Sequence, residues 1–337
     1  VSALPSVDDI LADAVVVSLP MRVRFRGITT REAVLLRGPA GWGEFAPFVE
    51  YDDDEAAHWL QAGLEAAWLG PPAPVRTRVP VNATVPAVPA HDVAEVLSRF
   101  PGALAAKVKV AEPGRDPAEN LARDLARVRA VRELVPHVRV DANGGWSVDE
   151  AVHALTALTA DGPLEYAEQP CARVEELVEV RRRLPGVRIA ADESIRKVSD
   201  PLRVVRAGAA DVAVVKVPPL GGMRNVVALA EQLSGYGVPV VVSSALDTAV
   251  GMSAGLAAAA ALPELPYACG LATGRLFHHD VAPGEGVRDG STSTGTVVPD
   301  SARLRELAAS EERARWWLDR VRRCREVLAG REAGLFV

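Results

Sequence analysis

The chain is nearly without lysine. Of its 38 basic residues only Lys107, Lys109, Lys197 and Lys216 are lysines; the rest are arginines. Arginine stays charged at any ordinary pH, whereas a desolvated lysine can release its proton. Where a surface cation suffices this chain uses arginine, so its lysines are candidates for proton chemistry. Lys197 lies in a polar stretch and is expected to be solvated. The other three sit inside apolar runs.

Cysteine is scarce too. Cys171, Cys269 and Cys324 are isolated, with no CxxC pair. That argues against a zinc ribbon, a thioredoxin-like site or a disulfide framework, and favours a reducing, cytoplasmic setting. Each is expected to be a small buried residue. His278 and His279 lie in a polar loop and are expected to be exposed. No strong basic cluster occurs, and the net charge is −6. This disfavours nucleic acid or an anionic membrane as partner, and no obligatory protein partner is visible. The longest charge-free helical stretch, 248–263, is too short to span a bilayer. No basic leader precedes an apolar core, so no secretory signal is expected. Nucleotide-binding glycine motifs are absent: no G-x-G-x-x-G follows the first strand, and GxxxxGK[ST] is not found.

What is present is a change of rhythm. The 337 residues suggest about two domains. Between 13 and 42, the apolar runs AVVVSLP and REAVLLRG read as strands around a basic loop, MRVRFRGITT. GWGEFAPF (41–48) reads as a loop and 52–70 as a helix that starts on acids and stops at Gly70 before two prolines. Residues 71–80 read as a linker. Eight short apolar runs then alternate with helical stretches such as 116–134 and 147–160: 79–85, 105–110, 137–142, 164–169, 187–193, 212–217, 238–244 and 267–272. This alternation predicts an α/β fold with a parallel sheet, closed as a (β/α)8-type barrel with irregularity allowed at its ends. An open doubly wound sheet is the alternative. A helix is expected over 301–328, with Trp316 and Trp317 anchoring it in a core. The predicted division is an α+β capping domain (1–78), a catalytic barrel (79–284) and a C-terminal segment (285–337) that packs on the capping domain.

Ionisable residues end the apolar runs in order: Lys109, Asp141, Glu168, Asp192 and Lys216. Their spacings are 32, 27, 24 and 24 residues, about one βα unit each, and Ser243 and Ser244 extend the series. Strand C-termini converge on one mouth, so three neighbouring carboxylates would face one another there. Burying them bare is costly, and a divalent cation resolves the repulsion. An all-oxygen set favours Mg2+ (or Mn2+) over Zn2+. A lysine on either flank, desolvated near a cation, is then suited to remove a proton α to a substrate carboxylate.

The series K-V-K (107–109), D-A-N (141–143), E-Q-P (168–170), A-D-E-S (191–194) and V-V-K-V-P-P-L-G-G (214–222) resembles the enolase superfamily on its muconate-lactonizing branch. A lysine base working with Mg2+ is that family's known chemistry, carried over with the resemblance. The resemblance implies Asp141, Glu168 and Asp192 as metal ligands, Lys109 as general base and Lys216 as its partner across the site. It implies supporting roles for Lys107, Asn143 and Glu193. Within the branch the chain is most similar to the o-succinylbenzoate-forming dehydratases of menaquinone biosynthesis. The short N-terminal part, GWGEFAPF and RVDAN (139–143) carry that similarity, Arg139 standing two residues before the first ligand. It implies syn dehydration of 2-succinyl-6-hydroxy-2,4-cyclohexadiene-1-carboxylate. Ser243, Ser244, Gly270 and Leu271 would contact the succinyl arm, and the basic loop Pro20–Ile28 would close the mouth. An N-acylamino acid racemase or dipeptide epimerase would use the same two lysines. The ACGLATG run (268–274) lacks the acidic D-x-D expected of the epimerase. A non-catalytic barrel would be expected to have lost one of the five charges.

Overall fold

The computed structural model describes residues 4–25, 28–114, 116–195, 200–284 and 286–331. Lys197 and the tip of the expected mouth-closing loop, residues 26–27, lie outside the described residues. A short helix, α1 (Val7–Leu11), precedes an antiparallel sheet of β1 (Val15–Phe25), β2 (Ile28–Gly38) and β3 (Gly41–Phe45). The basic stretch expected to be a loop is therefore mostly strand. Met21 to Phe25 alternates apolar and basic residues, a period-two signal that outweighs its charge. The strand is tied at this end: Met21 bridges Phe277, and Arg22 Nε donates to the Phe277 carbonyl at 2.9 Å.

The helix α2 (Asp53–Leu64) starts where Asp52 accepts from the Glu55 amide at 2.8 Å, and continues as a wider turn to Leu69. It crosses β3 at two glycines. A Cβ on Gly43 would sit 1.9 Å from the Gly63 carbonyl oxygen, and one on Gly63 would sit 2.6 Å from that of Glu44. Gly43 of GWGEF and Gly63 of α2 thus allow a backbone approach that no side chain permits.

The stretch expected to be a linker ends in a strand. β4 (Arg78–Pro80) pairs with β12 (Ser291–Ser293), and β5 (Ala83–Val85) begins the parallel sheet. β6 (Ala105–Lys109), β7 (His137–Asp141), β8 (Tyr166–Glu168), β9 (Ile189–Ala191), β10 (Val212–Val215) and β11 (Val240–Val242) follow, each beside its predecessor. The connections carry α3 (Val93–Ser98), α4 (Pro117–Arg132), α5 (Val148–Thr159), α6 (Val174–Arg183), α7 (Asp200–Arg206) and α8 (Met223–Ser234). α9 (Ala249–Ala261) follows β11. The result is a curled parallel sheet with helices between its strands. The eighth apolar run shrinks to a two-residue bridge, Cys269–Gly270. The Cys269 amide donates to the Pro80 carbonyl at 2.7 Å, and the Gly270 amide to that of Val242 at 2.9 Å.

Two large apolar cores result, with a small third cluster of Tyr166, Ala190, Val212, Val214 and Val241 on the other face of the parallel strands. One lies between the parallel strands and their helices, around residues such as Val108, Val140, Leu155, Val180 and Val226. The other joins β1, β2, β3 and α2 to the last helix through Leu35, Phe45, Leu60, Trp317 and Val321. The single C-terminal helix expected over 301–328 is two: α10 (Ser301–Glu306) and α11 (Glu311–Gly330). The break has a cause. Residues 307–309 turn to pair with β1: Ser18 donates to the Leu307 carbonyl at 2.8 Å, and Ala309 donates to that of Val16 at 3.0 Å. Trp317 is buried, its indole N–H on Glu32 at 2.9 Å, as expected of a core anchor. The three cysteines are free and buried, and both His278 and His279 are exposed. No described helix is long and apolar enough to cross a membrane.

Candidate active site

Five consecutive strands of the parallel sheet, β6 to β10, end on a charge. Lys109, Asp141 and Glu168 are the last residues of β6, β7 and β8; Asp192 and Lys216 come one residue after β9 and β10. Lys109 pairs with Asp141 and Asp141 with Glu168 across neighbouring strands, so all three sit at one level. Lys107, two residues back along β6, points to the same face.

The three acids and three amines form one buried network. Lys107 Nζ lies 2.6 Å from Glu168 Oε1 and 3.0 Å from Asp141 Oδ2. Lys109 Nζ donates to Asp141 Oδ2 at 2.6 Å and to Asn143 Oδ1 at 2.8 Å. Lys216 Nζ donates to Asp192 Oδ1. Asn143 Nδ2 reaches Glu193 Oε1 at 3.3 Å. Gln169 stiffens the floor: its Oε1 accepts from the amides of Asp192 and Ser194 at 3.0 and 3.2 Å. Asn143 and Gln169 adopt left-handed backbone, φ +47° and +38°, at the turns leaving β7 and β8.

These contacts set the charges. Burial works against the Lys107 ammonium, but Asp141 and Glu168 outweigh it and hold the amine well above the usual lysine range. Burial would likewise raise Asp141, yet Lys107 and Lys109 hold its carboxyl far below the usual carboxylate range. Glu168 goes the other way. Burial, then the neighbouring Asp141 charge, push its carboxyl up to about 8 against the pull of Lys107. Glu168 is thus the least compensated acid, and its Oε2 is buried with no hydrogen-bond partner among the described residues.

A divalent cation fits this donor set. The carboxylates of Asp141, Glu168 and Asp192 supply only oxygen, on three consecutive strands, and the orphaned Glu168 oxygen lacks a positive partner. As placed, no group of three His, Cys, Asp or Glu side chains among the described residues converges tightly enough to hold a metal. The ammonium groups of Lys107, Lys109 and Lys216 take up the carboxylate oxygens instead.

A cavity opens above the network. Lys107, Lys109, Asp141, Asn143, Asp192, Glu193, Lys216, Ser243, Ser244 and Gly270 all line it. Three expected residues do not line it: Glu168 is buried beneath the lining, and Arg139 and Leu271 lie elsewhere. Arg139 is fully buried one layer down the sheet. Its Nε donates to Glu165 Oε2 at 2.5 Å, and its guanidinium stacks 4.7 Å from the Tyr166 ring centroid. Lys107 stands at the same level on β6 and reaches the acids, whereas Arg139 is taken up by Glu165, Asn82 Oδ1 and the Ala268 carbonyl below the mouth. Leu271 packs against Gly255 of α9 and does not line the cavity.

Other lining residues were not anticipated: Thr84, Pro219, Ala245, Leu246, Thr273 and above all Phe48, Tyr51 and Trp59. The three rings pack with centroids 5.8 to 6.1 Å apart and form an apolar side of the cavity. Their signal was the density of aromatics between 42 and 59, in a chain with only 5% aromatic residues.

Residues 92–296 match the model of the enolase C-terminal domain-like family, and residues 16–67 that of the enolase N-terminal domain-like family. The o-succinylbenzoate synthase of Mycolicibacterium smegmatis is 62% identical over 97% of this chain and 99% of that protein. Those of Mycobacterium tuberculosis and Mycobacterium marinum are 60% and 61% identical, covering 97% and 95% of this chain and 98% and 95% of their own lengths. Among solved structures, the muconate lactonizing enzyme of Pseudomonas putida superposes with a TM-score of 0.73 at 22% identity, over 88% of this chain and 98% of that one. That of Pseudomonas fluorescens in complex with muconolactone reaches 0.75 at 22% identity over the same shares. At this identity the two structures speak for the fold alone.

Proposed function

This chain belongs to the enolase superfamily, and from that premise we infer that it is an o-succinylbenzoate synthase, a hydro-lyase. The observation that carries the reading is the pair of lysines, Lys109 and Lys216, on opposite sides of three buried carboxylates under one cavity. The relatives with 60 to 62% identity over nearly the whole chain support the same activity. The substrate is 2-succinyl-6-hydroxy-2,4-cyclohexadiene-1-carboxylate and the products are o-succinylbenzoate and water.

Lys109 is the general base. Its amine takes the proton α to the ring carboxylate, the C–O bond breaks on the same face, and the proton leaves with the hydroxide as water. The electron pair of the C–H bond becomes the last double bond of the aromatic ring. Lys216, four strands along the sheet, stays cationic and steadies the negative charge that builds on the substrate carboxylate. Lys107 keeps Asp141 ionised and holds Glu168 in place. Asp141, Glu168 and Asp192 would hold Mg2+ or Mn2+, which supplies fixed positive charge beside the substrate carboxylate. Asn143 orients the Lys109 amine and Glu193 orients Asn143. Ser243, Ser244 and Gly270 border the succinyl arm, and Phe48, Tyr51 and Trp59 keep water from the ring.

We read the parallel sheet as a closed barrel whose eighth stave is Cys269–Gly270; hydrogen bonds on both sides of that bridge support this. The division into 1–78, 79–284 and 285–337 is supported by the two separate apolar cores. The test is an ultraviolet assay of aromatic product formation with Mg2+ present. Wild-type protein turns the substrate over, and Lys109→Ala loses at least about a thousandfold in kcat. Chelation of the metal stops turnover and added Mg2+ restores it. α-Deuteration and racemisation of an N-succinyl amino acid in D2O, without dehydration, would replace this reading with a racemase.

A further inference from the structure

One wall of the cavity, Ser243 to Leu246, is held from outside the parallel sheet. Glu44 of β3 is buried, and its Oε2 accepts from the Thr248 amide at 3.0 Å, the Gly251 amide at 3.2 Å and the Thr248 hydroxyl. These groups are the N-cap and first turn of α9, whose unpaired amides attract an acceptor. Gly251 makes room for it: a Cβ there would lie 2.8 Å from Glu44 Cδ and 2.9 Å from Asp247 Cβ. The wall itself is strained, because Leu246 adopts φ +63° with a full side chain. It is braced by Arg31 of β2, whose Nε donates to the Leu246 carbonyl at 3.1 Å and whose guanidinium lies 4.5 Å over Phe48. Asp247 Oδ2 closes the turn by accepting from the Ala245 amide at 3.0 Å.

We propose that Glu44 is a positioning residue for the dehydration: by gripping Thr248 and Gly251 it fixes the Ser243–Leu246 wall against which the substrate's non-reacting arm lies. The proposal rests on the reading of the site given above. Glu44 touches neither substrate nor reacting atoms. Its loss should therefore weaken substrate binding and leave the chemical step intact. The groups facing Glu44 and the first turn of α9 are Asp247, Arg31, and Asp280 with Arg303 behind it; Lys216 acts on Asp247. Burial, then the Asp247 charge, push the Glu44 carboxyl up to about 8. The fold thus favours the protonated acid, which an amide can imitate.

The experiment is steady-state kinetics on Glu44→Ala, Glu44→Gln and Thr248→Val, with far-ultraviolet circular dichroism to establish that each is folded. Glu44→Ala and Thr248→Val raise KM about tenfold with kcat within about threefold of wild type. Glu44→Gln restores KM at pH 7. Wild-type KM climbs as pH passes 8 and that of Glu44→Gln does so less. An unchanged KM in folded Thr248→Val and Glu44→Ala, or a fall confined to kcat, overturns the positioning role. So does a Glu44→Gln enzyme as impaired as Glu44→Ala. Wild-type protein that fails to dehydrate the substrate would instead overturn the reading of the site.

Discussion

Lysine scarcity was the most informative residue-scale fact, because three of the four lysines meet in one buried network. Depth was less legible. A sequence places Arg139 and Asp141 on one face of a strand but does not tell which of them reaches the mouth. The aromatics Phe48, Tyr51 and Trp59 were missed for another reason: they come to the site from a different core, and no local period records that approach. Glu44 yields a prediction at this scale. Its folded pKa of about 8 stands above an unfolded value of about 4.3. The fold therefore binds the proton more tightly than the unfolded chain does. The associated stability is complete below about pH 4.3 and is lost as pH rises through 8. Denaturant unfolding from pH 5 to 8 should show a stability decline in wild type that is shallower in Glu44→Gln. The difference in slope should be on the order of 1 kcal/mol per pH unit at most.

At the level of elements, strands and helix starts were readable where patterns were local. The helix expected over 147–160 is α5, and its start is a capping box in which Ser147 and Glu150 exchange hydrogen bonds. Ser147→Ala should cost about 1 kcal/mol in chemical denaturation without changing kcat. The misread elements all involve a distant partner. The break between α10 and α11 exists because β1 needs an edge partner at Leu307–Ala309, some 290 residues away in sequence. The eighth apolar run pairs over two residues only, a limit that no composition announces. Interface carboxylates were equally hidden. Glu65 at the end of α2 accepts from the Arg224 amide at 3.1 Å, at the start of α8, as Glu44 does at α9. A lone glutamate in a loop or a helical pattern reads as surface, yet Glu44 and Glu65 are both buried.

For the molecule as a whole, the antiparallel sheet and the parallel sheet have separate cores, and the first depends on α11. Phe45 meets Trp317 edge-on at 5.9 Å, and Arg313 binds Glu32 of β2 at 2.6 Å. A chain stopped at Ala309 should leave Leu35, Phe45 and Leu60 exposed on one side. Limited proteolysis should then cut first within 15–64 and spare the parallel strands. Equal resistance of both parts would show that α11 is dispensable.

Trp317 covering Phe45 also has a consequence for synthesis. The sheet that leaves the ribosome first is covered by a helix made roughly 270 residues later, a delay of about a quarter of a minute to a minute at ordinary translation rates. During that interval its oily face has only α2 as native cover, so the nascent chain is a natural client for chaperones, and the parallel strands can pair before the sheet that emerged ahead of them is finished.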